Sequence, residues 1–296
     1  MSLDSMAKSK FSFPSAIIYI IILVFSILCL VPFLVILSAS FTDEDALVNT
    51  GYGLWPQKFS MLAYRIVFSG SFNVFNSYLT TITVTVIGTL ASIFLTILLA
   101  YPLSRKKYRY RNIINFYLFF TMLFNGGVVP WYILCTRYLS LKNNIPALII
   151  PYLLSAWNVF LLRNFFSTIP DSIEESARID GAGDYRILFR IFVPLSLPGI
   201  ATVTLFTTLM YWNDWWLGLM LLNGNKIVPL QLYLIRIIQT IEALRQEINP
   251  NMRQIKVPSE TVRMVICIIA IGPIVFAYPF FQRYFIKGLI VGSIKG

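Results

Sequence analysis

The sequence predicts an all-α polytopic membrane protein with six transmembrane helices, and three observations predict it. Of the 296 residues, 57% are hydrophobic and only 12% are charged, with a mean hydropathy of +0.72. A soluble domain carries roughly a quarter of its residues charged to cover its surface, and half that fraction suffices where lipid replaces water. Six apolar stretches are each long enough to cross a hydrocarbon core, which takes about 20 helical residues. The Lys and Arg behind the net charge of +11 gather in short segments beside those stretches, as retention of basic residues on one side of a bilayer requires.

The spans are predicted in order at Ser15–Ala39, Tyr78–Leu103, Asn112–Leu134, Ile145–Leu162, Pro194–Leu222 and Thr261–Phe281. The first is too long for the apolar core of a cleaved leader and has no small-residue cleavage pattern after it, so it reads as a retained span. The turn Ser104–Arg111 carries Arg105, Lys106, Lys107, Arg109 and Arg111 with no acid. The N-terminal segment adds Lys8 and Lys10, and the C-terminal one Arg283, Lys287 and Lys295. With an even number of spans these regions share one side, the cytoplasmic one, together with 163–193. Residues 41–76 and 223–260 then lie outside, the second as a long loop of mixed charge. The organisation is a tail over 1–14, a transmembrane domain over 15–287 and a tail over 288–296, with both termini cytoplasmic.

Several function classes fall away. The positive charge has its cause in membrane topology, so nucleic acid is not the partner it implies. Cys29, Cys135 and Cys267 are isolated and the chain has no His. No zinc cluster, Ser-His-Asp set or Cys-His pair can be assembled, so no metal ligand and no catalytic residue is assigned. No G-x-x-x-x-G-K-[ST] stretch is present to cradle phosphates.

Between spans four and five, residues 170–193 are long and charged, yet rich in helix signals. Asp171 stands where it can cap a helix, with Glu174 three residues on in the capping-box position. Gly181 and Gly183 permit a tight or left-handed turn. A second short helix carries Arg186 and Arg190 on one face, and Pro194 marks the entry to span five. Ser176, Ala177 and Gly181 allow close approach of another surface, while Glu174 and Glu175 offer acceptors for a partner's cations. A solvated hairpin in which Glu174 pairs with its own Arg178, four residues on, fits the same residues.

The run Glu174-Glu-Ser-Ala-Arg-Ile-Asp-Gly-Ala182, followed by Ile187, Pro194 and Pro198, resembles the EAA loop of ABC importer permeases. It is most similar to the E-E-A-A-x-x-D-G-A form of the MalG-like, binding-protein-dependent carbohydrate permeases, with Ser176 where that family more often has Ala. The likeness extends to span number, spacing and termini. It implies that Asp171 to Ile179 is a coupling helix seated in a cleft on an ATPase subunit. Glu174 and Glu175 would meet basic groups there, Ala177 would allow close approach, and Asp180 and Gly181 would form the bend. It further implies a heterodimer with a second homologous permease in the bacterial inner membrane. An ATPase dimer would bind ATP and Mg, this chain binding no cofactor, and an extracellular binding protein would deliver the sugar. The layout and the Asn-Gly-Gly-Val-Val-Pro stretch look most like subunits serving oligosaccharides or polysaccharide fragments. An ion-gradient-driven secondary transporter is the alternative, though it would call for inverted repeats or a midplane carboxylate.

Two polar patches at membrane depth are candidates for the substrate path. Asn125, beside Gly126, Gly127 and Pro130, marks a weakened stretch of span three, either a path-lining break or a close helix contact. Tyr211, Trp212, Asn213, Asp214 and Trp215 in span five combine aromatic faces with hydrogen-bonding edges suited to a sugar. An interfacial aromatic belt explains the same five residues. In the outer loop, Gln231, Arg236, Arg245 and Arg253 are candidates for meeting a delivery protein.

Overall fold

In the computed structural model, residues 13–69, 74–224, 226–247 and 258–272 are described, with the single positions 275 and 279. Among the described residues the chain is helical between its turns, with one isolated antiparallel bridge between Thr42 and Phe59 and no strand. The chain divides into two compact units. One draws on Met1–Gly70 and Ile238–Ile269, the other on Ser71–Ile237 and Ala270–Gly296.

In the first unit, α1 (Phe13–Ser40) realises the first predicted span. Ile17 to Leu34 present apolar side chains on every face, the pattern of a helix whose solvent is hydrocarbon. Two short helices follow, α2 (Glu44–Thr50) and α3 (Leu62–Ser69). Phe41 stacks on Phe59 at 5.7 Å and on Tyr64 at 4.9 Å, and Ser40 Oγ lies 3.0 Å from the Tyr64 hydroxyl. These contacts close the segment between α1 and α3 into a compact knot. The Glu44 carboxylate accepts the backbone N–H groups of Ser259, Glu260 and Thr261 at 3.1, 3.0 and 2.9 Å, and the Thr261 hydroxyl at 2.7 Å. Those amides open the helix over 259–272 and have no partners inside it. A carboxylate there satisfies the orphan donors and complements the positive end of the helix dipole.

The second unit is organised around α4 (Val74–Ser104), which packs against the later helices over Ala156–Ser167 and Leu197–Trp212. A basic turn leads to α5 (Arg111–Leu123), and after a break comes α6 (Val128–Ile133), extended by a π turn over Leu134–Tyr138. The bend between these halves is 114°. Then come α7 (Pro146–Ile149), prolonged by a 3-10 turn to Tyr152, and α8 (Ala156–Ser167), bent by 53° from it. The hairpin α9 (Asp171–Ile179) and α10 (Asp184–Ile187) runs through a π turn at Leu188–Phe192 into α11 (Val193–Leu195). After an 83° bend follows α12 (Leu197–Trp212), then α13 (Trp216–Leu221) and α14 (Leu230–Glu247).

The second predicted span is thus one long helix, and the third to fifth are each broken. Span four runs on past Leu162 to Ser167, and span five breaks after Trp212. The segment 223–260, expected to be loop, contains α14, an amphipathic helix whose mixed charge hides its period. Lys8, Lys10, Arg253, Arg283, Lys287, Lys295 and the Arg245 side chain lie outside the described residues, as does most of the sixth span beyond 272.

Close approach of helices explains two glycines. A Cβ on Gly88 of α4 would stand 2.6 Å from Tyr211 Cζ, and one on Gly199 of α12 would stand 2.4 Å from Phe165 Cγ. Thr81, Thr85, Thr89, Ser92 and Thr96 are also buried on α4 and form with Gly88 a small-residue seam suited to tight packing where apolar burial gains nothing over lipid. Polar contacts cross it: Thr89 Oγ1 lies 3.5 Å from Thr208 Oγ1, and Thr81 accepts the Leu230 amide at 2.8 Å. Gly199→Ala is expected to lower stability by about 1–3 kcal/mol by overpacking, read as an earlier thermal transition of the detergent-solubilised subunit. Glu44→Ala, which strips charge-assisted bonds worth about 1.5–3 kcal/mol each before relaxation, is expected to lower it as well, and Glu44→Gln by less.

Candidate functional site

The hairpin α9–α10 is shaped by backbone chemistry. Helix α9 ends with Asp180 as its last half-helical residue and Gly181 at φ +79°. The Ala182 amide donates to the Ala177 carbonyl at 2.9 Å, and the Gly181 amide to the Arg178 carbonyl at 3.0 Å. This is a Schellman ending, which needs a left-handed residue at the position of Gly181. No atom stands within 4 Å of where a Gly181 Cβ would be, so backbone conformation and not space demands glycine. Ala177 and Ala182 pack on the core cluster beneath, bringing together the two ends of the turn. Gly183 sits at φ −77° and needs no such freedom, contrary to the sequence expectation.

The expected capping box does not form. Pro170 holds the N-cap position, and Asp171 is the first helical residue without a capping bond. A tertiary partner outcompetes the local amides. The Arg105 guanidinium reaches from the end of α4, its Nη1 donating to Asp171 Oδ1 at 3.1 Å and Glu174 Oε2 at 3.5 Å. Its Nε donates to Ser104 Oγ at 2.9 Å, its Nη2 to the Phe166 carbonyl of α8, and its Cζ lies 4.5 Å from the Phe192 ring centroid. Phe192 in turn meets Tyr101 and Phe166 edge-on. Glu174 also accepts Arg178 Nε and Nη2 at 3.1 and 2.9 Å, the intrahelical pair anticipated from its spacing, and Arg178 bonds Asp184 across the turn.

These pairs differ in weight. Arg105 is 8% exposed, and hydrogen bonds to a charged group are worth about 1.5–3 kcal/mol. Lys107 Nζ lies 2.8 Å from Glu175 Oε1 with both side chains open to solvent, where ion pairs contribute little. Even so, Lys107 holds the Glu175 carboxyl below its ordinary range, by hydrogen bonding first and charge second, and Glu175 raises Lys107 in the same way. The outer surface of the hairpin carries Ile179, 87% exposed, and Tyr185, 75% exposed. A cavity of about 780 Å³ opens between the basic turn and the hairpin, with Leu98, Tyr101, Tyr108 and Leu188 among its apolar lining.

The residues expected on a substrate path fall into separate settings. Asn125 lies at the break of span three, its Oδ1 accepting the Gly127 amide at 2.8 Å beside Gly127 at φ +87°. Tyr211 is buried and donates to the Ile149 carbonyl at 2.9 Å, and Trp212 is buried with Nε1 on the Ala270 carbonyl at 3.1 Å. Both therefore brace the interior instead of lining a surface of this chain. Asp214 accepts the Tyr152 hydroxyl at 3.0 Å and the Leu217 amide at 3.4 Å. Asn213 is exposed, its side chain turned back to the Leu209 carbonyl, and Trp215 is exposed at the turn. Sequence reading missed Arg105 as more than a topological charge, and missed Tyr152, whose hydroxyl pairs with Asp214. It also missed Trp131, whose ring lies 4.5 Å from that of Trp216 at a tilt of 40°.

A family described as binding-protein-dependent transport system inner membrane component matches residues 5–291. The chain is 39% identical over 280 residues, 95% of its length and 97% of the relative's, to the polygalacturonan/rhamnogalacturonan transport system permease protein YtcP of Bacillus subtilis (strain 168). It is 27% identical to the arabinooligosaccharides transport system permease protein AraQ of the same organism, over 92% of each chain. A crystal structure of a bacterial ABC transporter involved in the import of the acidic polysaccharide alginate superposes on it with a TM-score of 0.76 at 31% identity. The match covers 94% of this chain and 100% of that one. A bundle of broken spans, an acidic hairpin turned on a Schellman glycine and these matches lead to one assignment: the chain belongs to the family of binding-protein-dependent transport system inner membrane components.

Proposed function

We propose that the chain is one permease half of an ABC importer for oligosaccharides or polysaccharide fragments. The observation that carries this is the α9 hairpin, built around Glu174, Glu175, Ala177, Asp180 and Gly181, in a chain whose relatives are sugar permeases. In this reading α9 sits in a cleft of an ATPase subunit on the cytoplasmic face, with both termini on that side. ATP and Mg reside on an ATPase dimer, a second homologous permease completes the pathway, and an extracellular binding protein delivers the sugar. Closure of the ATPases around ATP displaces α9, and the spans move between two discrete access states.

The exposed Lys107–Glu175 pair is suited to exchange, with a cation of the ATPase taking the place of Lys107 at little cost. Ile179 and Tyr185 supply apolar contact beside it. At the breaks, Asn125, Asn213 and Trp215 offer exposed groups toward a sugar, while Tyr211, Trp212 and Asp214 hold the breaks in shape.

Gly181→Asp, forcing a side chain into left-handed backbone, and Glu175→Lys are both expected to insert at normal levels and abolish uptake. Cell uptake of a labelled oligogalacturonide, with membrane abundance measured alongside, tests this; full uptake by either variant refutes the coupling role. Because the Glu175 pKa is depressed in the folded protein, the Lys107 contact is present above the ordinary carboxylate range and is lost as pH falls through the depressed value. Lys107→Met is therefore expected to move the Glu175 titration upward, read by carbon NMR of labelled carboxyls.

A further inference from the structure

Helix α9 is joined to its neighbours by short turns at each end and exposes most of its surface, with no residue fully buried. Beside the packing of Ala177 on the core, its polar attachment to the bundle runs chiefly through one guanidinium. Arg105 contacts the end of α4 through Ser104, the last turn of α8 through the Phe166 carbonyl, and α9 through Asp171 and Glu174, while lying over Phe192 at the entry to α11. A guanidinium is suited to this junction because its donors form a rigid planar fork and it never loses its charge. The Phe166 carbonyl, at the α8 terminus, also accepts the Ile169 amide at 3.3 Å, so the guanidinium supplies a second donor to that helix end. The two acids of the hairpin differ accordingly: Glu174 has its side chain 13% exposed and faces inward to Arg105, whereas Glu175, 56% exposed, faces outward to Lys107.

We infer that Arg105 is a positioning residue that makes α9 and the adjoining ends of α4 and α8 move as one body. Displacement of α9 by an ATPase then reaches the spans through Arg105 instead of being lost in the turns at 168–170 and 180–183. Glu174 works inward as the acceptor of this joint, and Glu175 alone is presented to the partner. The inference rests on the coupling role of α9 proposed above, but the joint itself can be read without transport.

The test uses the complex reconstituted in phospholipid nanodiscs, its native cysteines replaced by Ser and spin labels placed at the exposed positions Lys106→Cys and Ser172→Cys. Pulsed electron resonance reads the distance between them with and without ATP and vanadate. One narrow distance, the same in both states, is expected, and Arg105→Gln is expected to lose it while Arg105→Lys keeps part of it. Oligogalacturonide delivered per ATP should fall about tenfold in Arg105→Gln, within the usual range of intersite coupling, with the ATPase still co-purifying. Should Arg105→Gln not fold, Glu174→Gln carries the same expectations. An unchanged distance in the folded variant, or a wild-type distance that shifts with ATP, overturns the inference. Failure of an ATPase to co-purify with the wild-type chain instead refutes the coupling reading, while the distance measured on this chain still decides whether Arg105 is the joint.

Discussion

A bilayer supplies no hydrogen bonds, so every interruption of a spanning helix has to bring its own partners. Three of the spans here are interrupted, and the second unit is arranged around that obligation. The end of α7 gives a free carbonyl at Ile149, which the Tyr211 hydroxyl of α12 satisfies. The start of α13 leaves the amide of Leu217 without a helical partner, which Asp214 satisfies, and Tyr152 from beside α7 completes the carboxylate. Spans four and five therefore repair one another. Gly88 allows this, because the Tyr211 ring lies where any side chain on α4 would stand.

The same economy of partners governs the hairpin end. Four carboxylates and three cations lie close together there, and burial sorts them. The pair under cover, Arg105 with Glu174, holds several elements in place. The pair in the open, Lys107 with Glu175, holds little and is free to exchange. The coupling role proposed for α9 calls for both behaviours within one turn of helix, a firm attachment to the spans and a replaceable attachment to an ATPase. The sequence Glu174-Glu175 provides them by pointing adjacent side chains in different directions.

How much of this the sequence disclosed depended on whether the cause was local. The membrane class and its helical spans followed from composition, and the break in span three from Gly126, Gly127 and Pro130, whose effects are intrinsic to the backbone. The Gly181 turn was likewise readable, because its residue types are those a Schellman ending selects. The capping role expected of Asp171 failed because a distant guanidinium offered a charged donor in place of neutral amides. Tyr152 and Trp131 carry no mark in the sequence that separates them from other aromatics in apolar runs. Helix α14 was hidden by its mixed charge. The partners of Asp171, Tyr152 and Trp131 depend on what folding brings alongside, which one-dimensional pattern does not encode.

The carboxylate of Glu44 and the amides it accepts are 215 residues apart in the chain. At about 5–20 residues per second of synthesis, roughly ten to forty seconds separate their emergence from the ribosome. During that interval the acceptor is already held near the start of α2 while its helix does not yet exist. The helix over 259–272 is therefore received by an acceptor translated long before it. A lesion at Glu44 would accordingly be felt late in biogenesis, in the retention of the helix over 259–272, and not as a defect in the segment where the substitution lies.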